Sequence, residues 1–284
     1  MTHEVSIMSG KIGRFNKLAG KHVLVIGGSS GIGRAVVEAS IEAGASRVTL
    51  TGSSAESAAR ALAEVQSAYP GASARVAAIP CDLSRDSVEA DLEALFVEAE
   101  KSQAAATAAA TTAIDHVVLT AADPLLLVPD LQDLSLAQIR RAARFRMEVP
   151  LLLGKVAARH LARSSSSECS LTLTTGGIAD QPSAGWSVMA YLAAGITGLT
   201  RNLALDLKPV RVNAVEPGFV DTGLWAATEF TAEQAAAQVR QVAERMPTGR
   251  AAEVEDVAEA YVYLMKDRNA TGEIVKTRSG ANLI

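Results

Sequence analysis

At 284 residues, 49% apolar and 20% charged, the chain has the composition of an ordinary globular protein with a large buried core. A net charge of −4 with scattered basic residues gives no field for nucleic acid or anionic lipid, and no stretch approaches the roughly 18–20 apolar residues that span a bilayer. The polar start is unlike a signal peptide, and Cys81 and Cys169 lie too far apart for a disulfide framework or metal-ligand spacing, so a reducing, cytoplasmic setting is expected.

Short β-branched runs alternate with longer helical patterns. His22–Ile26 reads as a buried strand, followed by a helix over Arg34–Ala43. Strands at Arg47–Thr51, Arg75–Ile79 and His116–Thr120 are separated by helices at Ala55–Ala68 and Ser87–Glu100. The second half offers a strand at Ser170–Thr175, a long helix at Val188–Leu207 and a strand at Val210–Val215. A helix at Val254–Lys266 and a strand near Glu273–Lys276 close the pattern. Strand–helix alternation of this kind predicts one α/β domain of Rossmann-like type, a doubly wound parallel sheet with helices on both faces. Residues 1–18 read as an N-terminal extension to a domain over 19–284, and 101–113 as a low-complexity surface insertion.

The strongest local signal is Gly27-Gly28-Ser29-Ser30-Gly31-Ile32-Gly33, directly after the first strand and opening a helix. Small residues let the backbone turn tightly against a pyrophosphate, while the helix start presents unbonded N–H groups and a positive dipole end. A tight turn without a ligand is the bland alternative. At the end of the second strand, where NAD(H) sites usually carry a carboxylate for the ribose 2′-hydroxyl, the chain has Thr51-Gly52-Ser53-Ser54. With no charge there to repel a 2′-phosphate, NADP(H) is the expected cofactor. Ser53 and Ser54 also suit a plain helix N-cap, and the two roles are compatible.

From Ala19 onward the sequence resembles the short-chain dehydrogenase/reductase family. Gly27-x3-Gly31-x-Gly33 matches that family's fingerprint. Cys81-Asp82-Leu83 matches its adenine contact, and Thr120 and Ala121 stand where it has Asn-Ala. Arg211-Val212-Asn213-Ala214-Val215 with Pro217-Gly218-Phe219-Val220-Asp221-Thr222 matches the segment that holds the nicotinamide. The resemblance implies carboxamide contacts from Val220 and Thr222. Near the end, the usual Asp-Gly-Gly is Arg278-Ser279-Gly280.

The family's Ser-x12-Tyr-x3-Lys pattern is absent. Counting back from Leu199-Thr200, the lysine position is Ala193, the tyrosine position Met189 and the serine position Gly176, beside Thr175. Arg146 replaces the supporting Asn. Tyr191 is two residues off register, about 200° around a helix, and reads as a packing residue rather than an acid.

Reduction of a neutral ketone builds charge on oxygen and needs a proton donor or oxyanion stabiliser. Hydride addition to C=N⁺ removes charge and needs none. The residues therefore point to an NADPH-dependent reductase for an activated, iminium-like or conjugated, bulky substrate. A non-redox use of the fold, as a cyclase or a nucleotide sensor, is the alternative. Asp180-Gln181-Pro182-Ser183-Ala184-Gly185-Trp186, together with Arg146, resembles an atypical branch of the family found in fungal alkaloid pathways. That branch includes reductases that also steer a Diels–Alder closure. Its bifunctional members carry Pro-Asp-Pro-Gly-Trp, where this chain has Ser183 and Ala184.

Arg146, Asp180 and Thr175 are the substrate-orienting candidates. Arg146 serves equally as an ion-pair partner for Glu148 or Asp180, and Thr175 as an ordinary strand-end threonine. Trp186, which suits a packing role as well, is a candidate for the substrate wall with Leu224 and Trp225, the last two within an expected lid over 223–247. The expected partner is a small molecule, with no nucleic acid and no membrane. The family's habit of pairing the long helix implies a homodimer or homotetramer.

Overall fold

A computed structural model describes residues 13–101, 113–122, 131–161, 166–220, 222 and 231–284. Seven strands form one parallel sheet: β1 (His22–Ile26), β2 (Arg47–Gly52), β3 (Val76–Pro80), β4 (His116–Leu119), β5 (Ser170–Thr174), β6 (Arg211–Pro217) and β7 (Ile274–Thr277). Their order across the sheet is β3-β2-β1-β4-β5-β6-β7. The helices are α1 (Gly31–Glu42), α2 (Ala55–Ala68), α3 (Val88–Lys101), α4 (Leu136–Ala143), α5 (Val149–His160), α6 (Ser187–Asp206), α7 (Ala232–Arg245) and α8 (Val254–Lys266).

The period of two along each strand divides the core. Leu24 and Ile26 of β1 join Val117, Leu171, Leu173 and Val212 beneath α3, α5 and α6. Val23 and Val25 join Val48, Leu50 and Val215 beneath α1, α2 and α8. Because strands buried on both faces cannot alternate polar and apolar residues, they read in sequence as nearly continuous apolar runs. The doubly wound sheet expected from the alternation is the one observed.

Boundaries differ by a few residues. The first helix begins at Gly31 rather than Arg34, because the glycine-rich turn is already its first turn. β3 starts at Val76, since Pro70–Arg75 winds into a 3-10 turn ahead of it. The region of Arg146 holds a detail that periodicity does not show. α4 runs into α5 through a π-helical turn, Arg144–Glu148, and that turn packs against α6. The insertion over 101–113 and the first residues of the N-terminal extension lie largely outside the described residues. Among the described residues no helix is long and apolar enough to cross a membrane.

Candidate active site

Every strand being parallel, all seven C-terminal ends lie along one edge. The strand order reverses between β1 and β4, which opens a crevice there. The turn after β1 is shaped by main-chain crowding. Gly27 has φ +92°, and a Cβ on it would overlap the main chain of Ala121. A Cβ on Gly33 would overlap the Gly27 carbonyl and the Thr120 hydroxyl. Thr120 closes the contact from β4, where its N–H bonds the Ile26 carbonyl at 2.9 Å and its hydroxyl lies 3.3 Å from the Gly27 carbonyl. Thr51, at the end of β2, accepts the Gly27 N–H at 3.0 Å.

Ser30 caps α1 with extended backbone and without a side-chain hydrogen bond. The helix therefore begins with main-chain N–H groups of Gly31, Ile32 and Gly33 that have no acceptor within it. Ser29 is half-buried and Ser30 exposed beside them. A cradle that excludes Cβ atoms and ends in unbonded N–H groups fits the pyrophosphate of a dinucleotide.

Past the end of β2, where the sequence suggested the 2′-phosphate, Ser53 and Ser54 are exposed. Ser54 is the N-cap of α2 in a reciprocal box with Ser57: each side chain accepts the other's main-chain N–H at 3.1 Å. That leaves Ser53 as the serine whose side chain is not part of the box. Asp82 is held by Ser84, through N–H at 3.0 Å and hydroxyl at 2.6 Å, and by Arg85 at 3.2 Å. The Ser84 bonds come first among the causes that keep its carboxyl below the usual range. Leu83 is buried behind it.

The segment that the family resemblance assigns to the nicotinamide follows β6. Pro217 is buried, and the Gly218 N–H bonds the Thr277 carbonyl at 2.9 Å. Val220 is buried and bridges Ala252, while Thr222 lies against Gly31 across the crevice. This brings the loop after β6 to the glycine turn after β1. Leu224 and Trp225 lie outside the described residues.

The substrate side departs further from expectation. Met189 and Ala193, which the spacing from Leu199-Thr200 sets at the family's tyrosine and lysine positions, are buried in α6. The Thr175 hydroxyl donates to the Ala193 carbonyl at 2.8 Å from a buried position. Its proton is therefore directed at the main chain rather than at a substrate. Tyr191 is 76% exposed, so it does not pack within the chain as the helix-packing reading expected. Two residues set it about 200° around the helix from the buried Met189.

Trp186 is half-buried at the N-cap of α6. Arg146 is half-buried on the π-helical turn, which faces α6. Turns of this kind recur at functional sites because the extra residue re-aims side chains.

Asp180 corrects the expectation most clearly. It does not supply a carboxylate free for a substrate. Arg278 takes one oxygen at 2.5 Å and Lys276 takes the other. These two cations, Arg278 first, hold its carboxyl down at about 2. Glu148 pairs with Arg144 at 4.0 Å. Arg278 also pairs with Glu216, and both side chains are fully buried. Glu216, Lys276 and Arg278 were not among the sequence candidates. The available signals were a carboxylate inside the otherwise uncharged run after Arg211 and an arginine in place of the family's Asp.

A family model described as an SDR-like Rossmann domain matches residues 14–284. The short-chain dehydrogenase/reductase fsr5 of Gibberella fujikuroi is 40% identical over 94% of this chain and 97% of its own length. The short-chain dehydrogenase/reductase malC of Malbranchea aurantiaca is 36% identical over 93% and 95%. The solved structure of MalC reductase/Diels–Alderase superposes with a TM-score of 0.83, covering 95% of this chain and all of that one. Matched in fold and along nearly its whole length, the chain belongs to the short-chain dehydrogenase/reductase family.

Proposed function

We propose that the protein is an NADP(H)-dependent reductase of secondary metabolism that delivers hydride to an activated, iminium-like or conjugated, bulky substrate without a tyrosine acid. One observation carries this. The nucleotide cradle is complete, while the positions of the tyrosine and lysine are the buried apolar Met189 and Ala193.

NADPH, when bound, would supply a hydride. Gly31, Ile32 and Gly33 would bind its pyrophosphate through main-chain N–H groups, and Asp82 with Leu83 its adenine. Ser53 would take the 2′-phosphate with N–H groups at the start of α2. Pro217, Gly218, Val220 and Thr222 would hold the carboxamide end. The apolar Met189 keeps a charged oxygen from being stabilised where the family's acid stands. Addition of hydride to C=N⁺ leaves a neutral amine, so no proton has to be delivered. Arg146 would orient a carbonyl or carboxylate elsewhere on the substrate, and Trp186 would form an aromatic wall against it.

A second activity, cyclisation, is favoured by the likeness to the MalC reductase/Diels–Alderase structure, at 36% identity. The differing loop residues Ser183 and Ala184 weigh against the same cycloaddition here.

The test is incubation with NADPH and a panel of cyclic iminium compounds, following loss of reduced-cofactor absorbance and product mass. Oxidation of NADPH is expected, with a neutral amine one hydrogen heavier than the iminium cation. A product isomeric with its substrate, formed without cofactor consumption, would replace reduction by cyclisation.

A further inference from the structure

The sheet order β5-β6-β7 places the end of β6 between the loop after β5 and the end of β7. Two ties cross over it. Arg278, just past β7, reaches Asp180 at 2.5 Å, and the Gln181 amide donates to the Ala281 carbonyl at 2.7 Å. Beneath the crossing, Arg278 pairs with Glu216, one residue before Pro217. The main chain of Arg278 also presses on Gly218, where a Cβ would come within 2.9 Å of the Arg278 Cα.

Arg278 thus touches three segments: the loop over Gly176–Asp180, where the family's serine would stand; the loop over Pro217–Gly218; and the end of β7. Charge is balanced, with Glu216 and Asp180 against Arg278 and Lys276. A balanced set whose central members are buried leaves no surplus charge for a substrate. It does resist displacement, because parting one member strands a buried charge.

We propose that Arg278 is a positioning residue: through Glu216 and Asp180 it sets the substrate-side loop after β5 against the loop at Pro217–Gly218. This rests on the assignment of that second loop to the nicotinamide.

The experiment compares binding of NADPH with binding of adenosine 2′,5′-bisphosphate, which fills only the adenosine end, by calorimetry alongside thermal unfolding. The variants are Arg278→Lys, the uncharged pair Glu216→Gln with Arg278→Met, and Asp180→Asn on the exposed side of the cluster. The uncharged pair is expected to weaken NADPH about tenfold or more while the bisphosphate stays within about twofold. Arg278→Lys should recover part of the loss. Should the double variant not fold, Asp180→Asn is expected to show the same split at about threefold or more. Unchanged NADPH affinity, or equal loss for both ligands, would overturn the positioning role. A parent protein that binds the bisphosphate but gains nothing from the nicotinamide half would instead overturn the assignment of the loop itself.

Discussion

Around β1 and β2 the crevice is made of main chain. Gly27 and Gly33 leave room that any side chain would fill, and the N–H groups of α1 line it. Across β5, β6 and β7 it is made of side chains: Arg278 ties Asp180 to Glu216, and Thr175 bonds the main chain at Ala193. The contrast teaches where such a protein can change. A cradle defined by absent Cβ atoms tolerates almost nothing else, so it keeps its motif. A wall defined by side chains can trade one hydrogen-bonded set for another and so acquire different chemistry on the same fold.

The largest effect should come from breaking the main-chain end. Gly27→Ala places a Cβ against Ala121 at a φ of +92°, and no rotation of a side chain relieves it. Destabilisation of about 2 kcal/mol or more is expected, with loss of nucleotide binding of about a hundredfold. Calorimetry and thermal unfolding measure both. Retained affinity would mean that the turn has room the geometry denies.

On the side-chain end, Arg146→Ala should weaken substrate binding about tenfold or more while NADPH affinity stays nearly constant, since the proposed cofactor contacts lie on other loops. Steady-state KM for substrate against calorimetric Kd for cofactor separates the two. Parallel changes in both would merge the regions that the comparison keeps apart.

The sheet beneath both ends sets a pH limit. Burial holds the His22 and His116 rings at about 3, where their hydroxyl partners are Thr49 and Ser170, each at 2.9 Å. A folded pKa below the unfolded value of about 6.5 means that the unfolded chain binds more protons in this window. Stability is therefore complete above about 6.5 and declines as pH falls toward 3, by about 2 kcal/mol per histidine at pH 5. Urea unfolding at pH 7 and pH 5 checks it. A flat response would show the rings to be hydrated.

Cofactor choice should move less. NADPH is expected to bind several-fold tighter than NADH, and Ser53→Asp should reverse the order by repelling the 2′-phosphate. Equal affinities in the parent would remove Ser53 from the phosphate site. Tyr191→Phe should change turnover least, within about threefold, because the ring is 76% exposed. A loss of about a hundredfold in a folded variant would make Tyr191 the acid after all.

What the sequence made legible follows the same division. The seven strands and the glycine turn could be read because each depends on local pattern and fixed spacing. The π-helical turn at Arg144–Glu148 could not, because the run over Leu136–His160 gives no signal of an extra residue in a turn. The partners of Asp180 were equally hidden. Arg278 is nearly a hundred residues away, and only the order β5-β6-β7 brings the two together. Thr175 illustrates the limit for hydroxyls: its place at a strand end was legible, but the Ala193 carbonyl that takes its proton was not.

The central claim, hydride transfer without a tyrosine acid, is tested most directly with NADPH carrying deuterium at its transferable position. It is offered in single turnovers to a cyclic iminium compound and to the ketone of the same carbon skeleton. The account predicts deuterium at the former iminium carbon, a primary isotope effect, and reduction of the ketone slower by at least about a hundredfold. Comparable rates for the two would contradict it, because some group in the crevice would then be protonating oxygen.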